Sequence, residues 1–76
     1  MKHPASAARL ARVGEALFGR MWQAALPGVL GTSKRQVQRW AAGEYPVRVE
    51  AWRRLYAEGA QRQKALAAVM KELEPL

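Results

Sequence analysis

The sequence predicts an all-α domain of four helices, the last of them long. Three observations carry this expectation. Apolar residues recur at three- and four-residue spacing along most of the chain, and no two-residue alternation survives more than four residues. Residues 22–44 hold two short helical segments flanking Gly31-Thr32-Ser33. Residues 47–74 then carry apolar positions at alternating three- and four-residue steps up to Pro75.

The 76 residues make one small domain. A chain of this length buries only about 60% of its unfolded surface, so self-association would help it. Half the residues are apolar and a quarter are charged, an ordinary globular composition. There is no cysteine, hence no disulfide framework and no thiolate metal site. The single histidine, His3, stands alone near the terminus, so no metal is expected. No apolar run reaches the roughly 18–20 residues of a membrane span. The N-terminal stretch lacks a continuous apolar segment of the secretory kind. Residues 5–20, rich in Ala and Arg, read as a first helix in preference to a transit peptide. A cytoplasmic protein is the expectation, nucleoid-associated when bound to DNA.

The net charge is +7, and its placement is informative. Lys2, Arg9, Arg12 and Arg20 outweigh Glu15; Lys34, Arg35, Arg39, Arg48, Arg53 and Arg54 outweigh Glu44 and Glu50. After residue 54 the charges cancel: Arg62, Lys64 and Lys71 stand against Glu58, Glu72 and Glu74. The first 54 residues therefore suit a polyanionic partner.

Met-Lys-His-Pro at 1–4 reads as a frayed end. Ser6 is placed to cap a helix over 7–18, where Leu10, Val13 and Leu17 form the stripe and Phe18 widens it. Gly14 weakens that helix by about 1 kcal/mol relative to Ala and marks a close approach by another helix. Gly19 is its stop.

A second helix is expected over 22–30, with Trp22, Ala25, Leu26, Val29 and Leu30 apolar. Pro27 conflicts with it, because an interior proline costs about 3 kcal/mol. Either the helix starts late, near Ala24, or it kinks at Pro27-Gly28. Gly31 supplies the tight turn. Ser33 and Gln36 then stand at the capping-box spacing, in which each side chain satisfies the other's backbone amide. The third helix is expected over 34–42, with Gly43 just past its end.

After Glu44-Tyr45-Pro46, the 47–74 helix places Val49, Trp52, Tyr56, Gly59, Gln63, Leu66, Met70 and Leu73 on one seam, with Leu55 and Val69 broadening it. Gly59 could kink this helix or split it.

At 100° per residue, Lys34, Arg35, Gln38, Arg39 and Ala42 share one arc of about 140° on the third helix, and Val37, Trp40 and Ala41 the opposing one. Such a helix can dock one side on a core and set the other in a DNA major groove. Arg and Lys can pair with guanine O6 and N7, and Gln with adenine N6 and N7. The whole reads as a small helix-turn-helix domain with its motif at 22–43. The plainer alternative is a solvated basic face; face, turn and cap together favour DNA.

Residues 23–42 resemble the helix-turn-helix of the lambda-repressor-like family, which includes Cro and related phage and bacterial repressors. Gln23 stands where that family opens its motif with Gln. Gly31 follows eight positions later, and Val37 and Trp40 occupy the apolar positions. Pro27 departs from the pattern, which has a small residue there to let the two helices pack closely. The resemblance implies base contacts from Lys34, Arg35 and Arg39, and a phosphate anchor at Gln23. Gln38 joins the base-reading set from its place on the arc. Ser33 is a candidate for phosphate as well as for the cap. Arg48, Arg53 and Arg54 are backbone-contact candidates on charge alone, with pairing to Glu50 or Glu58 as the alternative.

Trp22, Trp40 and Trp52 lie on apolar faces and read as core in preference to base-stacking platforms. Nothing nominates a nucleophile or general base, so neither catalysis nor a cofactor or small-molecule ligand is expected. The expected partner is double-stranded DNA, bound by a transcriptional regulator of the small repressor kind. A homodimer is expected through Leu66, Val69, Met70 and Leu73, which a first helix cannot cover. The competing reading is a protein-interaction module, such as an antitoxin or a subunit of a phage packaging or recombination complex.

Overall fold

In the computed structural model, which describes residues 2–76, the chain is all-helical, with no strand among those residues. Helix α1 spans Pro4–Phe18, α2 Trp22–Leu30, α3 Lys34–Ala41 and α4 Val49–Leu73. A 3-10 turn at Gly19–Met21 joins α1 to α2 without a break. The helical residues thus run in three stretches, 4–30, 34–41 and 49–73, where four separate helices were expected. Gly19 turns the chain with a non-helical φ of 73° while its amide still bonds the Glu15 carbonyl, so direction changes with that hydrogen bond kept.

The segment expected to fray is held from His3 onward; of that segment, Met1 lies outside the described residues. Helix α1 starts on Pro4, a position where the missing amide costs nothing. Ser6 is therefore inside the helix and not its cap. Its hydroxyl accepts a hydrogen bond from the Val47 amide at 3.0 Å. The His3 amide donates to the Gly43 carbonyl at 2.6 Å. These two bonds fasten the first turn of α1 to the connection between α3 and α4.

Leu10 and Gly14 are the buried residues of α1. Gly14 is the close approach expected of it: a Cβ there would lie 2.5 Å from Cε3 of Trp22. The indole of Trp22 fills the space that glycine leaves, and this sets the packing of α1 on α2. With Trp22, the core is Leu10, Leu26, Val37, Trp40, Val47, Ala51 and Leu55, flanked by Ala11, Val13, Leu17, Phe18, Leu30, Ala41 and Trp52.

Helix α2 neither starts late nor breaks at Pro27, which sits within it. The ring deprives the Gln23 carbonyl of its helical donor. Gln23 is the second residue of α2 and is exposed, so the proline costs one early helical bond at a residue facing solvent. The Pro27 carbonyl in turn accepts the Gly31 and Thr32 amides, closing the helix with Gly31 left-handed at φ 63°.

Helix α4 is continuous through Gly59 but shorter than the 47–74 span expected. Val47 belongs to the connection and is buried there. The seam is also partly corrected. Val49 is 57% exposed and Tyr56 81%, while Ala51 and Leu55 face the core. Only the first half of α4 meets the body; from Ala60 onward every residue is exposed. The molecule is accordingly long, 53 × 21 × 20 Å. No helix among the described residues is long and apolar enough to cross a membrane.

Candidate nucleic-acid interface

Helix α3 is held at both ends by its own sequence. Ser33 precedes it in extended conformation and accepts the Gln36 amide at 3.0 Å. This is the serine half of the capping box. The reciprocal bond from the Gln36 side chain is not made among the described residues. At the other end the Gly43 amide donates to the Trp40 carbonyl and the Glu44 amide to the Arg39 carbonyl, a Schellman closure with Gly43 at φ 77°. The amphipathic split is complete. Val37 and Trp40 are buried, Lys34, Arg35 and Gln38 are exposed, and Arg39 is half-buried.

Two grooves run beside that exposed face, and Gln38 lines both. One is formed by Lys2, Arg35, Gln38, Arg39, Ala42, Glu44 and Tyr45. The other brings Arg20, Met21, Trp22, Gln23 and Ala24, around the start of α2, next to Lys34 and Gln38 of α3. Gln23 therefore shares a groove with Lys34 and Gln38, while Arg35 and Arg39 line the other one. The Arg39 guanidinium lies over the Tyr45 ring, 5.8 Å from its centroid, a cation–π distance that restrains its long side chain along the first groove. Lys34, Arg35 and Arg39 make no ion pair among the described residues, so their charge is available to a ligand.

Ser33 is exposed at the turn; with one lone pair engaged by the cap, its hydroxyl hydrogen remains free to donate. Arg48, just before α4, and the α4 arginines lie elsewhere. Arg48 and Arg54 line a third concavity with Leu30, Gly31, Thr32, Trp40, Glu50 and Ala51. Arg48 lies over the Trp40 ring at 5.9 Å, and Arg54 pairs with Glu58 at 3.4 Å, the intrahelical alternative to phosphate contact. Arg53 is exposed and lines none of the three concavities.

Two basic residues not singled out from the sequence border the grooves: Lys2, beside Arg35 and Arg39, and Arg20, beside Gln23 and Lys34. The positive balance of the first 22 residues was their signal; only the fold shows which of those cations reach α3. The tryptophans are core residues. Trp22 and Trp40 are buried, and Trp52 is half-buried with Arg9 over its ring at 5.9 Å. A comparison with protein-family models, curated proteins and solved structures finds no match to the chain.

Proposed function

We propose that this protein is a sequence-specific binder of double-stranded DNA, acting as a small transcriptional regulator that occludes its site as a repressor does. The observation that carries this reading is the exposed face of α3. Lys34, Arg35, Gln38 and Arg39 project from a helix whose opposite side is anchored by Val37 and Trp40. A major groove about 12 Å wide admits one such helix. Arg35 and Arg39 are suited to guanine, Gln38 to adenine, and Lys34 to guanine or phosphate. Gln23, Arg20 and Lys2, on the flanking grooves, are suited to the backbones on either side. Ser33 adds a hydroxyl donor at the start of the helix. Arg48, Arg53 and Arg54 are secondary backbone candidates.

Selection of bound sequences from a random duplex pool tests the proposal. A single enriched motif is the expected outcome. In a gel-shift titration on that motif, Arg39→Ala should cost about 1–3 kcal/mol and relax the preference at one base pair. Gln23→Ala should weaken all sequences evenly. Equal affinity for unrelated duplexes would instead make the chain a non-specific nucleic-acid binder, and no effect of either substitution would remove DNA from the account.

A further inference from the structure

The second half of α4 presents an apolar stripe to solvent: Leu66 is 61% exposed, and Val69, Met70 and Leu73 are each about half exposed. At 100° per residue these four fall in the same sector of about 100° as Ala51, Trp52, Leu55 and Gly59. That sector is the one α1 and α2 cover along the first half of the helix. Leu17 of α1 stands 3.6 Å from the Cβ position at Gly59, and the Arg62 guanidinium lies 4.7 Å from the Phe18 ring centroid, where α1 ends. The core-facing side of α4 thus continues beyond the body for about 20 Å with nothing on it.

We propose that a second copy of this chain occupies the stripe, with the two α4 helices antiparallel. Three features select that occupant and that direction. The first is steric. Because α1 already sits on the stripe side at the base of α4, a parallel pair would bring two α1 helices to the same place. The bases would be forced apart by at least one helix diameter, about 10 Å. An antiparallel pair puts each body beyond the other's tip, and the free length of one helix matches that of the other.

The second feature is the helix dipole. Antiparallel packing opposes the two helix dipoles, whereas parallel packing sets like ends together. The Arg62 side chain is engaged within its own helix, paired with Glu58 at 2.7 Å. The third is the apolar register. Leu66 faces Met70 of the second copy, and Gln63 faces its Leu73. The exposed Leu76 then reaches Ala60 and the apolar groove formed by Val13, Ala16, Leu17, Tyr56 and Gly59. The contact covers on the order of 500 Å² per copy, at the small end for protein interfaces, so the dimer dissociates on dilution.

This inference does not rest on the DNA reading, and its test uses no DNA. Sedimentation equilibrium of the full chain from micromolar to millimolar concentration is expected to show a reversible rise from 8.5 kDa to twice that mass. Met70→Glu should hold the mass at 8.5 kDa across that range while circular dichroism keeps the parent's helicity. The chain has no cysteine, so introduced thiols report direction unambiguously. Under mild oxidation Gln63→Cys alone and Leu73→Cys alone should stay uncrosslinked, and an equimolar mixture should form the disulfide. A monomer mass at every concentration overturns the proposal. So does self-crosslinking of either single variant together with failure of the mixture, which would mean parallel helices.

Discussion

The hydroxyl of Ser6 and the amide of Val47, 41 positions apart, are joined by a 3.0 Å hydrogen bond between the first turn of α1 and the connection leading into α4. The bond is half-buried, so its loss leaves an amide with reduced access to water. Ser6→Ala is expected to destabilise the fold by about 1 kcal/mol. For a domain of this size that lowers the melting temperature by roughly 4–8 °C, readable in a thermal melt followed by circular dichroism. An unchanged melting temperature would mean that the bond contributes nothing net. Had Ser6 been a helix cap instead, α1 helicity would fall as well.

Two helical glycines should respond to alanine with opposite sign. At Gly14 the new Cβ meets the Trp22 ring at 2.5 Å, and overpacking costs about 1–3 kcal/mol against a helix-propensity gain of about 1. Gly14→Ala should be destabilising, by up to about 2 kcal/mol. At Gly28 nothing lies within 4 Å, so Gly28→Ala should collect the propensity gain of up to about 1 kcal/mol. Paired urea titrations check this, and the order of the two midpoints is the decisive quantity.

The salt dependence of DNA affinity should separate the arginines by position. Arg20 shares a groove with Gln23 and Lys34. Each phosphate that a cation neutralises adds about 0.9 to the steepness of log K against log salt, because bound counterions are released. Arg20→Ala should make the dependence shallower by about that amount. Arg54 is paired with Glu58 and lies away from the exposed face of α3. Arg54→Ala should change the slope by much less. A larger drop for Arg54 would move the DNA path toward the start of α4.

Helix α3 was legible because its signals are local. A serine before it, a glycine after it and two chemically distinct faces lie within eleven residues. The start of α1 was misread because Ser6 has the chemistry of a cap, and only the fold brings the Val47 amide to it. Pro27 argued for a break, since a sequence cannot show that the carbonyl it orphans belongs to an exposed residue, Gln23. The seam of α4 failed at Val49 and Tyr56 for a different reason. Periodicity counts apolar positions but does not say where a neighbouring helix lies, and α1 and α2 meet α4 along Ala51, Leu55 and Gly59. Within the candidate site, the side chains on α3 could be named from the sequence. Lys2 and Arg20 could not, because their place beside α3 depends on tertiary packing.

The hydrogen bond from His3 to Gly43 ties the amino-terminal segment to the closing turn of α3, so Lys2 borders the groove of Arg35 and Arg39, while the carboxyl end lies at the tip of a projecting rod. The two ends therefore differ as attachment points. A fluorophore or affinity handle joined at Lys2 sits against the proposed DNA face, where it would sense, and obstruct, a bound duplex. The same group at Leu76 is remote from that face and would respond to the approach of a second molecule. Labelling strategy for this chain follows directly from which end is stapled down.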